Sequence, residues 1–210
     1  ICLISGDDMK CVITGHTSGI GQALMLHFVE KGWTVYGLSR SNGYDVAQDY
    51  DKIVEATKDC DLFINNAYSS EGQLELTKRL IHQVPKMIVM GAAVTDYPDL
   101  IDSEYSRNKQ ALEKYCRNMS LQESVADVLF LKISFAETTL NRPKKGRIDS
   151  DFTVSYKEIA DTIDFWLDNP KIRQVDFRVK LTSYTIQSLM SIVGTDDVNK
   201  YLSDLFLTSS

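Results

Sequence analysis

The chain predicts an α/β fold built on a doubly wound parallel sheet, and three observations lead there. Short apolar, β-branched runs alternate along it with segments of helical period. The runs at 61–67, 86–91 and 127–134 show little in-and-out alternation, as strands do when helices cover both their faces. The first strand, finally, passes through a glycine-rich turn straight into a helix.

The elements follow in order. "KCVIT" (10–14) is the first strand, and a helix over 19–31 places Ile20, Ala23, Leu24, His27 and Phe28 on one face, with Gly32 as its C-terminal cap. "TVYGLS" (34–39) is the second strand. "SNGYDV" is a tight connection with at most a two- or three-residue strand. A helix over 47–59, a strand over 61–67 and a helix over 73–84 stopped by Pro85 come next. The strand 86–91 leads to a helix holding Tyr105 and reaching about Asn118. A strand at 127–134, a helix at 155–169 halted by Pro170, a last strand at 175–181 and a helical tail over 185–206 complete a sheet of about seven strands. Nothing divides 9–210, which reads as one domain. Met9 directly precedes the first convincing strand, so residues 1–8 read as an N-terminal extension, with a short edge strand as the alternative.

Bulk properties narrow the function. The formal charge is -6, and the densest basic cluster, Arg142 to Arg147, surrounds a proline and a glycine in what reads as a solvated loop. A nucleic-acid partner is therefore not expected. The four cysteines, Cys2, Cys11, Cys60 and Cys116, show no CxxC spacing, and the three histidines stand at no ligand spacing from them, so no metal site is expected. No apolar run approaches the ~20 residues of a membrane span, and the reading is a cytosolic protein with free thiols.

The turn "TGHTSGIG" carries the first chemistry. Gly15 allows a sharp turn, Gly19 clears space where a diphosphate meets backbone N–H groups at Thr17, Ser18 and Ile20, and Gly21 lets the helix pack closely. His16 reads as a loop residue. About 20 residues beyond such a turn, an acidic side chain usually binds the ribose 2′-hydroxyl. Here the second strand ends in Ser39 and Arg40, and an arginine fork suits a 2′-phosphate. NADP(H) is the preferred cofactor and NAD(H) the alternative. Tyr105 is the only tyrosine followed four residues later by a lysine, Lys109, which puts both on one helix face. A nearby ammonium favours the phenolate, so the pair suits acid–base work.

TGxxxGIG at 14–21, "NNA" at 65–67 and Tyr-x3-Lys at 105–109, in that order, resemble the compact branch of the short-chain dehydrogenase/reductase family from Met9 to about Leu181. The resemblance implies a Rossmann-type fold and hydride transfer between a nicotinamide cofactor and a small carbonyl or alcohol. It makes Tyr105 the acid–base and Lys109 its partner and a ligand of the nicotinamide ribose. Asn66 and Ala67 would lie by the adenosine ribose, Asp45 and Val46 by the adenine, and Thr138 by the nicotinamide amide or phosphates. Residues 138–155 would form a lid, and a homodimer or homotetramer would be the assembly.

Two departures stand out. The serine usually found 12 or 13 residues before the tyrosine is replaced by Ala92 and Ala93, with Thr95 the nearest substitute hydroxyl. No asparagine lies between Ala67 and Arg107, so the relay asparagine of the 73–84 helix is missing too. These departures support a second reading, a non-catalytic NADP(H)-binding sensor or scaffold.

Overall fold

The structure is a computed structural model that describes residues 9–96, 103–119, 122, 125–133, 154–170 and 174–177. The expected extension 1–8, Thr138, the basic cluster, most of the lid and the tail helix lie outside the described residues.

Six parallel strands form the sheet: β1 (Lys10–Thr14), β2 (Thr34–Leu38), β3 (Leu62–Asn65), β4 (Lys86–Met90), β5 (Asp127–Ile133) and β6 (Gln174–Phe177), in the spatial order β2-β1-β3-β4-β5-β6. Five helices connect them: α1 (Gly19–Glu30), α2 (Tyr50–Ala56), α3 (Gly72–Leu80), α4 (Glu104–Met119) and α5 (Tyr156–Asp168). The fold is the doubly wound α/β arrangement that the sequence predicts.

Burial explains it. Residues 11–14, 62–65 and 87–90 are buried without interruption, because each strand has side chains packed on both faces. On one side Val12, Phe63, Met87, Val89, Val128 and Phe130 meet Ile53 of α2, Leu76 and Leu80 of α3 and Leu112 and Cys116 of α4. On the other, Cys11, Ile13, Leu62, Ile64, Ile88 and Leu129 meet Leu24 and Phe28 of α1 and Ile159, Ile163 and Trp166 of α5. The buried positions of α4 recur every three or four residues, from Ser106 through Lys109, Leu112 and Cys116 to Met119. Ser155 starts α5 with a reciprocal cap: its hydroxyl accepts from the Glu158 amide, and the Glu158 carboxylate accepts from the Ser155 amide.

The tight connection expected after β2 takes a definite form. The described residues contain no strand between β2 and α2. Arg40–Asn42 form a 3-10 turn instead. The Asn42 side chain accepts from the Ser39 amide at 2.8 Å and donates to the Gly37 carbonyl at 2.8 Å. Gly43 then takes a left-handed φ of 83°, and the Lys52 ammonium holds its carbonyl at 2.6 Å. Side chains thus satisfy backbone groups that a further strand would need for its ladder. The sheet ends at β2, and the chain between Arg40 and Val46 stays at the strand ends, beside the site.

The strand order reverses direction between β1 and β3. In open α/β sheets a crevice forms at such a point, outside the carboxyl ends of the strands.

Candidate functional site

Thr14 ties the crevice together. Its buried hydroxyl donates to the Ile64 carbonyl at 3.4 Å and accepts from the amides of Asn66 and Ala67, each at 3.0 Å. The Asn66 side chain donates to the carbonyls of Thr14 and Gly15 at 3.0 and 3.4 Å. The end of β3 is therefore fastened to the glycine turn that follows β1.

The glycines of that turn are sterically required. Gly15 and Gly19 have φ of 74° and 57°. A Cβ on Gly21 would lie 2.2 Å from the Gly15 carbonyl oxygen, so α1 presses its first turn against the loop's own backbone. His16 folds over β2, where a Cβ on Gly37 would come within 2.3 Å of its ring. The Nδ1 of His16 is buried with no hydrogen-bond partner among the described residues.

A cavity of about 810 Å³ opens along this edge. Of the residues expected from the sequence, Gly15, Thr17, Ser18, Gly19, Ile20, Ser39, Arg40, Asp45, Val46, Asn66, Ala67, Tyr105 and Lys109 all line it. Arg40, Ser41, Tyr44 and Asp45 mark one end, and Met90, Gly91, Tyr105, Lys109 and Ile133 the other. Gly21 stands behind the wall as a packing position. Thr95 is not in the described lining.

Lys109 is the most constrained polar group of the site. It is 4 % exposed, and its ammonium donates to Gln73 Oε1 and to the Met90 carbonyl, both at 2.7 Å. Gln73, the second residue of α3, has its amide orientation fixed, since its nitrogen donates to the carbonyls of Asn65 (2.8 Å) and Met90 (3.0 Å). Asn65 in turn donates to the Gln73 carbonyl and to the Thr77 hydroxyl. Burial lowers the Lys109 pKa to about 7, and the partners its ammonium has, Gln73 Oε1 and the Met90 carbonyl, are neutral.

Tyr105, 39 % exposed, faces Tyr68 edge-on with ring centroids 4.7 Å apart. The Lys109 nitrogen lies 5.6 Å from the centroid of each ring. Burial and the neighbouring Tyr68 phenol push the Tyr105 pKa up. Without cofactor, then, the phenol is held in its protonated form and Lys109 does not draw it toward phenolate.

The strand end that carries Ala92 offers no hydroxyl at that position. Thr95 sits in the 3-10 turn Ala93–Asp96, within 2.6 Å of Glu113 Oε2 and 3.0 Å of the Ala92 carbonyl. Its hydroxyl proton is directed to the carboxylate of α4. The same Glu113 accepts from Lys132 of β5 and Arg117, and Lys132 also donates to Asp96. The turn after β4 is therefore clamped to α4 and β5.

Three residues of the site lay outside the sequence expectations. Thr14 was visible only as the first letter of the glycine motif. Gln73 stands on the helix where the resemblance implies an asparagine, and its sequence position alone gives it no role. Tyr68 directly follows "NNA", and no periodicity or spacing gives it a role. Among the described residues there is no cluster of metal-ligating side chains, and no helix is long and apolar enough to cross a membrane.

No family model matches the chain, and no curated protein matches it. Solved structures do. A short-chain dehydrogenase from Burkholderia cenocepacia J2315 in complex with NADP superposes with a TM-score of 0.67 at 15% identity, over 93% of this chain and 97% of that one. A small-chain dehydrogenase in complex with NADPH gives 0.64 at 13% identity, over 81% and 97%. The 3-alpha-hydroxysteroid dehydrogenase from Pseudomonas sp. B-0831 complexed with NADH gives 0.61 at 17% identity, over 80% and 95%. The fold of this chain is that of the short-chain dehydrogenase/reductase structures.

Proposed function

We propose that the chain is a short-chain dehydrogenase/reductase that binds NADP(H) and reduces a carbonyl, or oxidises an alcohol, by hydride transfer, with Tyr105 as acid–base. One observation carries this reading. The glycine turn and the Tyr105–Lys109 pair, some 90 residues apart in sequence, open into one elongated cavity at the switch point of the sheet.

The residues present suit a dinucleotide. A diphosphate fits the N-terminus of α1, where Gly15 and Gly19 bring backbone N–H groups forward and the first turn has amides to offer. Arg40, with the Ser39 and Ser41 hydroxyls 2.8 Å apart beside it, suits a 2′-phosphate. Asp45 and Val46 flank the adenine end, and Asn66 and Ala67 the adjoining ribose. When bound, a nicotinamide supplies the hydride. The chain's own part is to orient the substrate and move a proton. Lys109 stands at the nicotinamide end with two of its hydrogens already engaged, and Tyr105 supplies the proton to the substrate oxygen as its negative charge develops.

The test is NADPH oxidation with a panel of aldehydes and ketones, wild type beside Tyr105→Phe, with NADPH affinity measured for both. Loss of the hydroxyl is expected to lower turnover by about 10²–10⁴-fold with little change in affinity. Equal turnover removes the Tyr105 mechanism. Replacing Arg40 by Ala is expected to weaken NADPH by about 10–100-fold and to leave NADH unchanged; equal losses for both remove the 2′-phosphate assignment.

A second reading, a non-catalytic NADP(H)-binding protein, is favoured by one observation: Ala92 occupies the serine position and the Thr95 hydroxyl is engaged by Glu113. It predicts tight NADPH binding with no turnover in wild type or variant.

A further inference from the structure

Lys109 has three partner positions, and two are taken by fixed acceptors. Gln73 cannot turn its oxygen elsewhere, because its nitrogen is committed to the carbonyls at the ends of β3 and β4. The Met90 carbonyl belongs to the sheet edge itself. A neutral amine has two hydrogens, which these acceptors satisfy in full, and an ammonium adds one more. Either protonation state therefore keeps the same two bonds.

We propose that Gln73 is the positioning residue for Lys109: with the Met90 carbonyl it anchors the amine so that its remaining position, on the cavity that Lys109 lines, gains and loses a proton without rearrangement. This deepens the proposed function and rests on it, since it gives the reaction site a proton store next to Tyr105.

The surroundings agree. The groups that face Lys109 are Gln73 from α3, the Met90 carbonyl from β4, Tyr68 after β3 and Tyr105 from its own helix. None of them carries a carboxylate. The acceptors are neutral, so they offset the effect of burial less than a carboxylate would, and Lys109 exchanges its charge near neutrality.

The test follows the ε-carbon resonances of the lysines against pH by NMR in the full chain without cofactor. One resonance is expected to titrate near 7 and to vanish in Lys109→Arg. Gln73→Glu, nearly the same shape, places a carboxylate on the amine and should raise that midpoint by about 1–3 pH units. Gln73→Met removes an acceptor and should lower it; if that variant does not fold, Gln73→Glu alone decides. A wild-type Lys109 midpoint above about 10, or a midpoint unmoved by Gln73→Glu, overturns the assignment. NADPH calorimetry on the same wild-type sample separates the two claims, since absence of binding rejects the proposed function whatever the lysine does.

Discussion

Lys132→Met is the sharpest probe of how the fold shapes the site. Lys132 lies near the end of β5 at 4 % exposure, and its ammonium reaches Asp96 Oδ1 at 2.5 Å and Glu113 at 3.1 Å. Methionine preserves most of the stem's packing but leaves two carboxylates without their shared cation. Breaking a buried pair from one side costs about 3–5 kcal/mol. Two features reduce that here: Asp96 is 28 % exposed and gains water, and Glu113 keeps Thr95 at 2.6 Å and Arg117 at 3.0 Å. The expected loss is therefore about 2–3 kcal/mol, or about 4–12 °C in Tm for a chain of this size. Urea and thermal unfolding at pH 7 measure it. Adding Asp96→Asn and Glu113→Gln removes both negative charges and should recover more than half of the loss. A single variant within about 0.5 kcal/mol of wild type, or a triple variant no more stable than the single, refutes the view that the turn after β4 is held electrostatically.

Further outcomes are expected. Gly21→Ala drives a Cβ to 2.2 Å from the Gly15 carbonyl oxygen, which is backbone and cannot swing away. It should cost about 1–3 kcal/mol and abolish NADPH binding in a calorimetric titration. Gly32→Ala, which meets nothing within 4 Å but has φ +83°, should cost only about 1 kcal/mol and leave binding intact. Lys109 also sets a pH dependence. Its pKa is about 7 when folded against the ordinary 10.5, so between those values the unfolded chain binds more protons. Stability should rise with pH across that window, by up to about 1.4 kcal/mol per unit from this group, and Lys109→Met should remove that contribution. Urea midpoints for the two proteins from pH 7 to 9.5 provide the comparison, and parallel profiles would show that Lys109 titrates normally.

Much of this was legible in the sequence for a simple reason. Strands buried on both faces leave apolar runs, and "CVIT", "LFIN" and "MIVM" all read directly. The glycine turn was legible because sterics admit little else at Gly15, Gly19 and Gly21. The turn at Arg40–Asn42 was not, since its shape depends on Asn42 reaching back to Gly37 and Lys52 reaching across to Gly43. Lys132 stands within an apolar run, and its partners, Asp96 and Glu113, are brought near only by the fold. Gln73 was lost in the same way: its role comes from a contact with Lys109, 36 positions away.

On the proposed reading, the absence of the serine and the state of the two titrating groups bear on the same question, which direction the chemistry favours. A substrate carbonyl polarised by one donor fewer is harder to reduce, by about 10²–10³-fold if the lost donor resembles those of oxyanion holes. Burial acts unequally on the two directions. It keeps Tyr105 protonated, the form needed to deliver a proton to a developing alkoxide, while oxidation of an alcohol requires the phenolate that burial and Tyr68 oppose. Lys109 does not reverse this in the free chain, because its own ammonium is disfavoured by the same dry surroundings. On that reading the free chain starts from the protonated phenol that reduction uses, beside an amine whose anchors at Gln73 and Met90 stay the same whether or not it is charged.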